Sequence, residues 1–201
     1  MTTHLGTLQR RVETVLVEFK RSRNTWNELN VEGFPAANKL INTVIQSKYS
    51  DDLGYWHPSL RQEFPNIIQK YDIKLKKLIE QDDKKVMVIL ERMAKQQIKM
   101  MTFIREFIAI QQRVGQVLEN DQIPLFKTCP IHVFVQRSKI IIDMYTQELY
   151  SKQLMVQQGM KEISNQEEGL ALLSAWQNQP SICEKTIQEF EDICNVELDL
   201  L

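Results

Sequence analysis

Apolar residues step by three and four along the N-terminal segment: Leu8, Val12, Val15, Phe19, Trp26, Leu29, Gly33, Ala37, Leu40 and Val44. This spacing lines one face of an α-helix and predicts a helix over 7–46. Pro35 cannot donate to the carbonyl of Val31, so a kink or break is expected at Gly33-Phe34-Pro35. Residues 47–65 lose the periodicity and hold Asp51-Asp52, Gly54, Pro58 and Pro65, which read as a loop. Tyr55, Trp56 and Phe64 are expected to tuck that loop onto the helices.

The pattern resumes over 66–120 without a proline. Met93, Met100, Phe107 and Val114 repeat every seven residues, with Leu90, Ile104 and Leu118 beside them. This is the seam of a coiled coil or long bundle, interrupted by the polar residues Gln97 and Gln111. A second break over 121–130 precedes another long helix, 131–163, with Val135, Ile141, Ile142, Tyr145, Leu149 and Val156 on one face. Asn165 is placed to cap the first of the short helices expected over 167–201, and Pro180 interrupts them. The expected fold is all-α: a single elongated bundle, 1–201, of three long helices plus short C-terminal ones. Three long helices leave one side of a bundle to be covered by the short helices or by a partner, and the seam is a candidate for either contact.

Composition agrees with helix. Only 6 glycines and 6 prolines occur in 201 residues, too few for the turns of a β-sandwich. The net charge of -1 gives no global attraction to nucleic acid or to anionic membrane. Acidic Glu13 and Glu18 among the bases of the first helix argue against a membrane-surface helix. No apolar run reaches the roughly 20 residues that cross a bilayer, and positions 1–9 lack a signal-peptide core. Cys129, Cys183 and Cys194 are odd in number and far apart, which fits a reducing compartment. The expected location is the nucleus, with the cytoplasm as the other compartment.

Chemistry is hard to find in this chain. His4, His57 and His132 stand apart from one another and from any cysteine pair, so neither metal nor cofactor is expected. Phosphate-cradling glycine motifs and a nucleophile elbow are missing from the sequence, and no enzymatic activity is expected. What remains are two segments where glycine or proline stands beside large aromatics. One is Trp26, Leu29, Asn30, Gly33, Phe34 and Asn38; the other is Pro124, Leu125, Phe126, Thr128 and Pro130, followed by Tyr145, Trp176 and Pro180. Together with Met93, Met100, Phe107 and Val114 they are the candidate protein-binding residues.

The ordered set W-x-x-L-N-x-x-G-F-x-x-A-N over 26–38 resembles the cyclin-dependent kinase 2-interacting protein family. A second block is similar as well: Pro124-Leu125-Phe126, Thr128, Pro130, Phe134, Met144-Tyr145, Glu148-Leu149, Lys152, Leu173-Ser174, Trp176 and Gln179-Pro180. The resemblance implies a non-enzymatic adaptor. Its implied partners are a second small helical protein, in a heterodimer, and AAA+ ATPase subunits, with cyclin-dependent and origin-firing kinases as further contacts. It implies roles in DNA replication, checkpoint signalling and ribosome maturation. Two alternatives stay open: a replication-kinase scaffold that works without the ATPase, and a structural coiled-coil homodimer. The chain has no Ser-Pro or Thr-Pro dipeptide, so a kinase link would be scaffolding rather than phosphorylation by a proline-directed kinase.

Overall fold

The computed structural model describes residues 2–118 and 123–198. The order is α1 (Thr2–Lys48), a 3₁₀ turn (Leu53–Tyr55), α2 (Pro58–Glu63), α3 (Ile67–Leu118) and α4 (Ile131–Leu154). A π-turn (Met155–Gly159) then leads into α5 (Met160–Glu162), followed by α6 (Gln166–Asn178) and α7 (Glu184–Leu198). Among the described residues the only β pairing is an isolated antiparallel bridge between Pro124 and Pro130. The all-α class and the bundle of long helices are as the periodicity predicts. The side chain of Leu118 and the terminal residues 199–201 lie outside the described residues.

α1 does not break at the expected joint; the helix is continuous through Pro35. The ring removes one hydrogen bond, to the carbonyl of Val31. Val31 is itself 72% exposed, so that carbonyl sits on a solvated stretch where water can serve it. Asn165 caps α6 as expected, accepting from the Glu168 amide at 2.9 Å, while the Glu168 carboxylate reaches back to the Ser164 amide at 2.7 Å. α6 ends on Gln179, in left-handed conformation at φ 46°, directly before Pro180.

The helices pack as two compact units, each with its own core. The first gathers the described residues of 1–27, 94–148 and 180–201. Its core is built from Val12, Val15, Phe19, Trp26, Met100, Phe107, Val114, Phe134 and Phe190, all essentially buried. Phe19 meets Phe190 edge-on at 6.2 Å, and Trp26 meets Tyr145 edge-on at 5.2 Å. Gln97 donates to the Thr146 hydroxyl at 2.9 Å, which satisfies inside the chain one of the polar residues that interrupt the seam.

The second unit gathers 28–93 and 149–179. Here Leu29, Ala37, Leu40 and Ile41 of α1 are buried with Leu75, Val86 and Met93 of α3 and Trp176 of α6. Two glycines permit the helices to approach. A Cβ on Gly33 would stand 2.6 Å from Cζ2 of Trp176 and 3.2 Å from Ile89, and one on Gly169 would stand 2.8 Å from Ile41. Glycine in mid-helix costs about 1 kcal/mol relative to alanine. Gly33→Ala is nevertheless expected to destabilise the protein by about 1–3 kcal/mol, because the overpacking against the rigid indole exceeds the propensity gain. Urea unfolding of the variant checks the sign; propensity alone would predict a more stable protein.

Candidate functional site

Most residues singled out in the sequence point inward. Trp176 is fully buried and ties the two motif blocks together within the second unit. Its indole N–H donates to the Asn30 carbonyl at 3.2 Å, and the Asn30 side-chain amide faces the Gln177 carbonyl at 3.5 Å. Lys152, also fully buried, donates to the Trp176 carbonyl at 2.7 Å and lies 4.4 Å from the centre of its ring. Leu29 is buried beside this cluster, whereas Phe34 and Asn38 are half-buried, with Asn38 accepting from Asn42 at 3.0 Å.

Pro124 to Pro130 forms a tight cradle in the first unit. The Leu125 amide closes it onto the Cys129 carbonyl at 3.2 Å, and Gln9 holds the Leu125 carbonyl at 2.7 Å. Leu125 is buried and Phe126 stacks edge-on against Phe134 at 6.0 Å. The amides of Lys127, Thr128 and Cys129 then converge on the carboxylate of Glu197 at 3.0, 2.9 and 3.1 Å, with the Thr128 hydroxyl donating as a fourth group. Successive amides arranged in this way form a nest for an anion. Burial by itself would raise the Glu197 pKa, but the Thr128 hydroxyl and the three amides outweigh it and hold the group at about 2. Sequence reasoning missed Glu197, which lies some seventy positions from the loop that binds it; no local pattern marks such a pairing.

The seam residues Met93, Met100, Phe107 and Val114 are each 0% exposed. They are spent within the chain's own cores and present no surface, contrary to the open seam considered above. Tyr145 is buried as well, and burial lifts its phenol to about 12. Pro124, Thr128 and Pro180 are exposed, and Pro130 is half-buried.

One run of exposed apolar residues lies in the connection between α1 and α3. Tyr55 is 70% exposed and Phe64 is 52% exposed, and Tyr49, Leu53 and Leu60 face solvent beside them. Only Trp56 of the three expected anchors tucks in. It donates to the Ser50 carbonyl at 2.9 Å and meets Tyr71 edge-on at 5.3 Å. The segment is nonetheless well held. Asp52 accepts from the Gly54 amide at 2.8 Å, and His57 caps α2 by accepting from the Ser59 amide at 3.3 Å. Among the described residues no group of His, Cys, Asp and Glu is set to hold a metal, and no helix is long and apolar enough to cross a membrane.

The Glu197 cradle has a measurable signature. Its folded pKa lies below the usual 4.5, so its contribution is complete above about pH 4.5 and is lost as pH falls toward about 2. Glu197→Gln is expected to cost about 1.5–3 kcal/mol at neutral pH, the worth of hydrogen bonds to a charged group. The difference between the two proteins should close on acidification through that window, as read by urea unfolding across pH.

No protein-family profile matches the chain. Two curated relatives do. Cyclin-dependent kinase 2-interacting protein of Homo sapiens is 26% identical over 161 residues, covering 78% of this chain and 74% of the relative. The protein of the same name from Bos taurus is 28% identical over 163 residues, covering 77% of this chain and 73% of the relative. The resemblance carried by the two motif blocks thus extends over more than three-quarters of the chain, which is similar to the cyclin-dependent kinase 2-interacting protein family.

Proposed function

We propose that the chain is a helical adaptor without enzymatic activity that binds partner proteins through the surface of 49–64. The observation that carries this reading is the rigidly capped segment that turns Tyr49, Leu53, Tyr55, Leu60 and Phe64 toward solvent. The name of the relatives supports a cyclin-dependent kinase among its partners. In this reading the chain acts in the nucleus as a scaffold. It also joins a second small helical protein and an AAA+ ATPase assembly working in replication, checkpoint signalling and ribosome maturation, as the family resemblance implies.

Burial of the seam changes the mechanism from the one first expected. Affinity comes from the displayed aromatics and not from Met93, Met100, Phe107 and Val114, which have no apolar surface left to give. The replication-kinase scaffold acting without the ATPase is the second reading, favoured by the relatives' name alone. A coiled-coil homodimer would need an open apolar stripe, and the heptad residues Met93, Met100, Phe107 and Val114 are already buried within the chain.

Two measurements test the proposal. Light scattering of the purified chain should give a monomer near 23.7 kDa; a dimer that persists on dilution would revive the homodimer reading. The doubly substituted Tyr55→Asp/Phe64→Asp protein should keep its unfolding midpoint, because neither side chain is buried, yet lose roughly 30-fold or more in affinity for a cyclin–kinase pair or for the helical partner. Unchanged affinity for both would remove the segment from the interface.

A further inference from the structure

A groove of about 240 Å³ opens in the first unit between α1 and α7, lined by Leu16, Val17, Lys20, Arg23, Phe190, Glu191, Cys194 and Asn195. Its apolar part is Leu16, Phe190 and Cys194, all buried, with Val17 left 52% exposed. Burial raises the Cys194 thiol to about 12, so at neutral pH it is an apolar neighbour and not an anion.

The polar side of the groove is unbalanced. Lys20 and Arg23 share one carboxylate: Glu191 accepts from Lys20 at 3.0 Å and from Arg23 at 2.7 Å. Two cations against one anion leave an excess positive charge. Arg23 also sits only 4% exposed, with its guanidinium 5.3 Å from the centre of the Phe19 ring. Its Nε has no acceptor among the described residues. That Nε is closed off from solvent, so the excess positive charge open to a ligand is that of Lys20 at the groove's rim, 52% exposed. The groove is smaller than the ~300–1,000 Å³ of small-molecule sites. It is the size of a side chain or two, not of a cofactor.

We propose that this groove is a second docking site, separate from the 49–64 surface, and that its occupant is an acidic segment of a partner protein. An apolar side chain of that segment fills the space over Leu16, Val17 and Phe190, and an adjacent carboxylate reaches Lys20, whose positive charge Glu191 must share with Arg23. The charge complementarity selects an acidic segment over a basic one.

The test uses the full chain and a fluorescein-labelled short peptide of alternating Asp and Leu, with a Lys–Leu peptide as control, read by anisotropy. The acidic peptide should bind saturably and the basic one should not. Lys20→Glu and Val17→Asp should each weaken binding roughly tenfold. Both positions are about half exposed, so the unfolding midpoint should hold. Tyr55→Asp/Phe64→Asp should leave this binding intact, which separates failure of the groove from failure of the functional reading. Absence of saturation at millimolar peptide overturns the proposal, as does equal affinity in Lys20→Glu or loss of binding in the Tyr55/Phe64 variant. Concentration-dependent growth of the solution mass, abolished by Lys20→Glu, would make the occupant a second copy and overturn the choice of partner.

Discussion

Trp176 reaches α1 only because position 33 carries no side chain, and the second unit is organised around that approach. Burying an indole removes on the order of 200 Å² from water, worth about 5 kcal/mol as an upper figure. Its N–H would forfeit part of that gain if left without an acceptor. The Asn30 carbonyl supplies one at 3.2 Å, and Lys152 holds the Trp176 carbonyl at 2.7 Å. Shape and hydrogen bonding therefore fix α6 on α1 together: a different residue at 33 blocks the approach, and a different residue at 176 has nothing to donate.

The first unit uses charge to the same end. α7 packs through Phe190 and Ile187, but burial of apolar area does not by itself set the register of a helix along its neighbours. The Glu197 carboxylate does, because four donors of the 124–130 loop converge on one point. A buried carboxylate is expensive to desolvate, so only the alignment that supplies all these donors is stable. The loop owes its shape to the prolines at its ends and to the Leu125–Cys129 hydrogen bond between them.

These two clasps use several of the motif residues on which the family resemblance rests. Asn30, Gly33, Lys152, Trp176 and the 124–130 loop hold helices in place. That part of the resemblance falls on residues that close the fold. The two surfaces proposed for partners, the 49–64 segment and the groove beside Arg23, hold none of the motif residues, and fold and partner are separate matters here.

The long helices, their amphipathic faces and the cap at Asn165 were legible in the sequence, since spacing of three and four and a capping side chain are local properties; the short α2 (Pro58–Glu63), read as loop, was not. The inward faces read from Val12, Val15, Phe19 and from Met100, Phe107 and Val114 are the faces the cores use. Two local rules misled. Pro35 did not break α1, because losing one hydrogen bond on a solvated stretch costs less than abandoning a helix held by packing along its length. Tyr55 and Phe64 did not fold inward, because hydrophobicity alone does not say whether a neighbour exists to cover a side chain. The sequence by itself determined which long segments are helical and which stripe of each is apolar. Only the tertiary structure decided whether a stripe meets another helix of the same chain or the solvent, and which distant carboxylate enters which loop. Those outcomes depend on residues far apart in the chain, brought together by packing that no single segment encodes.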